Sequence, residues 1–277
     1  MPQFLPRVSV GWVACLSVLL LPALGLGAER SQNTKPVLLY SRHYNAEGET
    51  RYLPDGTFSD VLQRLRDDNF DVQTHNRPLD AKTLHGVDVV LIANPSDKAV
   101  GNHPAPAHFS NSDIAALTKF VEAGGALILM GNQENHNLEI EDTNKLLAHF
   151  GIQFTNVYTD AKKLVLPKET AVIGGLRWAY YTGNQLQLEP GSPAKSRVVV
   201  NNDLLQTPLG QGKRRDEPGV LLAAVERGRG RVIVVTDSGW VTNDALSEKG
   251  IGDVAIKGQD NWEIFRRLTR WAGRVGD

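Results

Sequence analysis

Cysteine is nearly missing. The chain has one, Cys15, in 277 residues, and it lies inside an apolar N-terminal stretch. Everything after that stretch is therefore without disulfides, zinc–thiolate sites and thiol nucleophiles. An excess of either charge is missing too: 30 Lys and Arg stand against 31 Asp and Glu, for a net charge of −1. Mixed charge of this kind leaves no basic face for nucleic acid. There is no internal repeat, no low-complexity segment, and no G-x-S-x-G nucleophile elbow.

What is present begins with an apolar run from Val8 to Leu26, preceded by one cation, Arg7, and closed by Gly25-Leu26-Gly27-Ala28. This is the pattern of a signal peptide over residues 1–28. An uncleaved anchor is the competing reading, because the run is nearly long enough to span a bilayer; Pro22 and the glycines near its end favour cleavage. The expected product is a secreted or periplasmic chain, residues 29–277, tethered to membrane only if the run is not cut. Its length suits one α/β domain with an elaborated second half.

The remaining sequence alternates apolar runs with helical periodicity. Val37-Leu38-Leu39-Tyr40, Asp71-Val72-Gln73-Thr74 and Val87 to Ala93 read as strands, the last with the continuous apolar character of a strand covered on both faces. Phe58, Val61, Leu62 and Leu65 recur at helical spacing, with Thr57 as the expected N-cap. A helix from Asp113 to Ala123, capped by Ser112, ends at Gly124-Gly125 and leads into strand Ala126 to Met130. A further helix covers Glu141 to Phe150. Residues 153–219 read as a β-rich insertion with an exposed basic loop, 210–218. Strands Val220 to Val225 and Arg231 to Thr236 follow, and a helix from Asn261 to Trp271 ends the chain, with Asn261 as a candidate cap. Strand–helix alternation of this order predicts a mainly parallel sheet.

Three stretches carry a family likeness. Phe120-Val121-Glu122-Ala123-Gly124-Gly125-Ala126-Leu127-Ile128-Leu129-Met130-Gly131 resembles the helix, double glycine and strand of the class I glutamine amidotransferase-like superfamily. The likeness is narrower to its non-enzymatic or uncharacterised branches, including the domain of intraflagellar transport proteins, gliding-motility ABC-associated proteins and many secreted bacterial proteins. Gly228 to Asn243 is similar to the late strand and loop of those branches, and Asp260-Asn261-Trp262 to their terminal helix. The resemblance covers residues 36–154 and 220–271 and implies a flavodoxin-like, three-layer α/β sandwich. It also exposes a departure. Where the amidotransferases place their Cys the chain has Met130-Gly131-Asn132-Gln133, and where they place His-Pro-Glu it has Asp237-Ser238-Gly239. Thiolate attack on an amide needs both the sulfur and its base, so glutamine amidotransferase activity is not expected.

Open parallel sheets bind ligands outside the carboxyl ends of their strands. That selects Ser41, His43 and Tyr44 after the first strand, Asn94 after the third, and Asn132, Gln133 and Glu134 after the fourth. After the last come Asp237, Ser238, Trp240 and Asn243. Amides, hydroxyls and aromatic rings of this kind suit a neutral polar ligand such as a sugar, with Tyr44 and Trp240 as stacking platforms. Each has a plainer reading: His43 as a solvated loop histidine, Asp237 as a brace for the loop behind it, and the Trp178, Tyr180, Tyr181 group, a further candidate sugar platform, as core of the insertion. Glu134 and His136 have poor metal spacing, and neither metal nor cofactor is expected. The expected function is a secreted, catalytically degenerate domain that binds a polar small molecule or an envelope protein. The rival expectation is a hydrolase of carbohydrate or another exported substrate, with Asp237, Glu134 or His43 in acid–base roles and two carboxylates about 5–10 Å apart.

Overall fold

Four apolar segments buried on both faces, joined at one edge by the mostly exposed Asp71–His75, become the parallel strands of one sheet. The computed structural model describes residues 1, 35–201, 206–208, 219–250 and 257–276. Residues 1–28 and the basic loop 210–218 thus lie outside the described residues, apart from Met1. Among the described residues no helix is long and apolar enough to cross a membrane. Lys35–Asp277 forms one compact unit.

The parallel strands are β1 (Val37–Ser41), β2 (Asp71–His75), β3 (Val89–Ala93), β4 (Ala126–Met130) and β12 (Gly230–Val235), in the order β2-β1-β3-β4-β12. This is the flavodoxin-like order 2-1-3-4-5. Register aligns the carboxyl ends: Ala93 and Val235 both pair with Met130. Helices α1 (Ser59–Asp67) and α5 (Asn261–Gly273) cover one face, where Val61, Leu62, Leu65, Ile264, Phe265 and Leu268 meet Leu38, Leu91, Ile128 and Ile233. Helices α2 (Asn111–Glu122) and α3 (Glu141–Ala148) cover the other, with Leu117, Val121, Leu146 and Leu147 against Val90, Leu127, Leu129 and Val234. The result is the three-layer sandwich expected.

The stretch expected as a β-rich elaboration contributes strands both to the main sheet and to a second one. Strand β11 (Val220–Arg227) runs antiparallel to β12, and β8 (Leu186–Leu188), β9 (Lys195–Asn201) and β5 (Ile152–Phe154) extend the sheet from it. Only β6 (Lys162–Val165), β7 (Arg177–Tyr180) and β10 (Gln206–Pro208) form a second, three-stranded sheet. That small sheet shares its core with the first: Trp178 packs edge-to-face on Trp240, which packs on Phe265 of α5.

Three expected caps fall elsewhere. Helix α2 begins two residues early, capped by Ser110, whose Oγ accepts from Asp113 N while Asp113 accepts from Ser110 N. This reciprocal box satisfies two end donors at once. Helix α1 carries no cap from Thr57, whose hydroxyl donates back to Arg51 O. Asn261 is not the cap of α5 but a buried staple: its amide donates to Ala179 O (3.0 Å) and Trp240 O (2.7 Å), and its Oδ1 accepts from Ala179 N (2.9 Å).

Candidate functional site

The loops after β1, β4 and β12 leave the sheet at the same end and enclose a cleft of about 530 Å³. Its lining comprises Arg51, Tyr52, Gly56 and Thr57 from the first loop, Asn132 and His136 from the second, and Gly239, Thr242, Asn243 and Asp244 from the third, joined by Tyr181. The volume falls in the range of ordinary small-molecule sites, about 300–1,000 Å³.

Each wall is held by the polar chemistry of its own loop. Asn132 Oδ1 accepts from Gln133 N (2.9 Å) and sits 2.9 Å from His136 Nδ1, so the turn after β4 closes on itself. Arg51 Nε donates to Glu49 Oε1 (2.9 Å) and its Nη2 donates to His136 O (2.9 Å), tying the first loop to the second. Glu49 is buried. Burial alone would raise its pKa, but hydrogen bonds and charge from Arg51, with the charge of Arg42, outweigh burial and hold the carboxyl below its ordinary value. Asn243 opens the short helix α4 (Asn243–Leu246); its Nδ2 donates to Gly56 O and Ser59 Oγ, both at 2.9 Å, and its Oδ1 accepts from Asp60 N (3.0 Å). This side chain, 183 residues away in sequence, supplies the first turn of α1 with the cap that Thr57 does not give.

The structure brings some of the sequence candidates together and keeps others apart. Asn132 and Asn243 line the cleft. Gln133 lines an adjoining hollow. Ser41, Tyr44, Asn94, Asp237, Ser238 and Trp240 are all buried. Asn94, at φ 44°, donates to Met130 O from its backbone (2.6 Å) and to His136 O from its side chain (3.1 Å). Ser238 Oγ donates to Gly131 O (2.7 Å). Trp240 packs between Trp178 and Phe265, so it offers no stacking face, and Tyr44 spends its ring on Phe109, with centroids 4.0 Å apart. His43 is half-buried and packs edge-on against Tyr44, away from the cleft lining. Glu134 lies in a single 3₁₀ turn, Glu134–His136.

Asp237 is enclosed. Its Oδ2 accepts from Tyr181 N (2.8 Å) and its Oδ1 from Gly239 N (2.6 Å). Burial pushes its pKa up to about 7, against backbone N–H donors that favour the charged form. It braces two cleft walls and is not among the residues that line the cleft. Among the described lining residues Asp244 is the one carboxylate.

Sequence reasoning missed Arg51 and Tyr52, although the pair in a polar loop was an available signal. Of the aromatic group expected as core of the insertion, Trp178 and Tyr180 are buried, whereas Tyr181 lines the cleft. Sequence reasoning also missed a cluster of His108, Glu139 and Asp142, whose ligand atoms all lie within 4.8 Å of one another. Residues of this kind can hold a divalent cation. Here they already have work: Glu139 accepts from Asp142 N, Thr143 N and Thr143 Oγ1 at the start of α3, and His108 pairs with Asp142 at 3.3 Å. A larger groove, about 1050 Å³, lies along α5 among Arg231, Arg266, Arg267, Arg270 and Arg274. Arg231 stands near the start of β12, so this groove is at the opposite end of the strands from the ligand-binding end. Arg266 and Arg267 pair with Glu263, and Arg270 pairs with Asp68.

The chain belongs to the family described as domain of unknown function DUF4350, whose model matches residues 54–256. No curated protein matches it significantly. Among solved structures it is similar to the mmIFT52 N-terminal domain, at 17% identity and TM-score 0.61, covering 87% of this chain and 98% of that one. It is similar to a cytoplasmic protein of Salmonella typhimurium LT2, at 14% identity and TM-score 0.52, covering 86% and 99%. It is also similar to the cold-adapted β-galactosidase of Rahnella sp. R3, at 13% identity and TM-score 0.50, covering 86% of this chain and 31% of that one. At these identities the likenesses show the fold alone.

Proposed function

We propose that the chain is a catalytically degenerate member of the class I glutamine amidotransferase-like superfamily, exported through its N-terminal segment, that binds a polar small molecule in the cleft at the strand carboxyl ends. The observation that carries this reading is the cleft itself: it stands where open α/β sheets bind ligands, and amide, hydroxyl, imidazole and phenol groups line it with one guanidinium, one carboxylate and no thiol among the described lining residues. The position after β4 that holds the thiol in amidotransferases is here filled by Gly131-Asn132-Gln133, whose polar atoms close a turn. The hydrolase alternative needs two carboxylates facing the ligand, and Asp244 stands alone among the described lining residues.

The test is a thermal-shift screen of the purified chain against sugars, amino acids and nucleotides, repeated with His136→Ala and Asp244→Ala. A ligand at about 100 times its Kd stabilises by about 2.7 kcal/mol. A shift seen in the wild type and reduced in both variants supports the cleft. A panel without a shift, or a shift indifferent to both substitutions, removes the proposal.

A further inference from the structure

Asn132 lines the cleft, but Gln133, the next residue, serves a different hollow. This niche has a volume of about 200 Å³, with Gln133 and Asn184 at its base and Asn135, Asn156 and Tyr158 around it. Gln133 is 4% exposed and Asn184 1%, whereas Asn135 and Asn156 are exposed. None of the described lining residues is charged. The niche and the cleft share a turn and no lining residue.

Both residues that carry the buried amides are anchored through their backbones. Gln133 O accepts from His136 N (3.0 Å) and Leu138 N (3.3 Å). Asn184 N donates to Thr236 O (3.2 Å), its carbonyl accepts from Thr159 Oγ1 (3.2 Å), and its Oδ1 accepts from Gln185 N (2.7 Å). The wall between them is tight: a Cβ on Gly183 would fall 2.0 Å from Thr236 O, so only glycine fits there. What is left over is specific. Gln133 Oε1, Gln133 Nε2 and Asn184 Nδ2 are buried and have no partner among the described residues. Together they offer four donor hydrogens and one acceptor. Buried polar atoms are nearly always paired, and three without a partner around one hollow mark a place built for hydrogen bonds from outside the chain.

We propose that this niche is a binding subsite for one neutral, hydroxyl-bearing ring, a pyranose or a cyclitol. Its hydroxyl oxygens take the amide hydrogens of Gln133 and Asn184, and one hydroxyl donates to Gln133 Oε1. The ring is neutral because an ionised ligand would lose its hydration against amide dipoles with no counter-charge among the described lining residues. It is single because the volume is below the ~300–1,000 Å³ of sites that take drug-sized ligands. Burial of both side chains and the fixed Asn184 amide reduce the ordering cost of binding.

The experiment is saturation-transfer NMR and calorimetry on the purified chain with methyl glucoside, methyl galactoside, N-acetylglucosamine and myo-inositol, and with glucuronate as the charged counterpart. At least one neutral ring binds, and glucuronate binds about tenfold or more weakly, about 1.4 kcal/mol. Gln133→Met keeps the volume while removing the amide; it weakens the neutral ring by a similar factor and does not lower the melting temperature. Asn184→Asp keeps the acceptor for Gln185 N and removes the free donors, giving the same loss by an independent route. Asp244→Ala leaves this binding unchanged, which separates the niche from the cleft. No binding by any neutral ring at millimolar concentration, equal binding of glucuronate, or affinity untouched by both amide substitutions would leave water as the occupant and overturn the proposal.

Discussion

Replacing Asp237 with Asn tests the balance of forces at the junction of the cleft walls. Two effects oppose each other at this carboxyl. Full burial disfavours the charge, and N–H groups from Tyr181 and Gly239 favour it. Burial wins, moving the pKa from 3.8 to about 7. The native protein therefore binds one more proton than the unfolded chain between those values, and this group's contribution to stability falls as pH rises through that window and levels off above about 7. Between pH 4.5 and 8 the wild type loses about 3 kcal/mol from this residue, at 1.36 kcal/mol per pH unit. An Asn does not titrate. It also turns an NH₂ toward one of the two backbone donors, which costs about 1–3 kcal/mol at every pH. Asp237→Asn is thus less stable than the wild type at pH 4.5, gains on it by about 3 kcal/mol by pH 8, and crosses over or draws level in between. Urea unfolding of both proteins at half-unit pH steps reads the difference directly, with titration common to both cancelling. A difference that stays flat across the range would refute the reasoning. A difference that moves the other way would show that the backbone donors dominate and that Asp237 is ionised in the fold.

Two further substitutions follow from the contacts. Ser110→Ala removes the reciprocal cap of α2 and costs about 1 kcal/mol, read as a lower urea midpoint with an unchanged slope. Arg51→Ala leaves Glu49 buried without its cation. The loss is about 1–3 kcal/mol at pH 7, discounted within that range because Arg51 is itself partly exposed. It shrinks as pH falls through the lowered pKa of Glu49, because protonation removes the charge that Arg51 served. A loss that holds steady down to acid pH would mean Arg51 acts by packing alone.

Much of the fold was readable because its signals are local. Strands β3 and β4 are short runs of apolar residues buried on both faces. Helix α1 repeats its buried residues at helical spacing. The cap of α2 was readable as well: Ser110 and Asp113 stand three apart, a box that Ser112 cannot make, since Ala115 follows it at that spacing. The cap of α1 was not readable, because Asn243 brings it from the far end of the chain. The same holds for Trp240. In sequence it is an aromatic in a polar loop; in the fold, Trp178 from the second sheet closes over it.

The sequence by itself determined the class of fold, the absence of thiol chemistry beyond the N-terminal segment, and the end of the sheet at which ligand-facing loops gather. Periodicity, composition and strand–helix order are properties of neighbouring residues, and they survive without knowledge of distant contacts. Only the tertiary structure decided which polar side chains face the cleft and which are spent on backbone groups. Asp237, Ser238 and Asn94 are polar as Asn132 is and leave strands at the same end of the sheet. They differ because the loop ends they join must satisfy N–H and carbonyl groups that burial has taken from water, and only the packed arrangement shows which of those groups lie within reach.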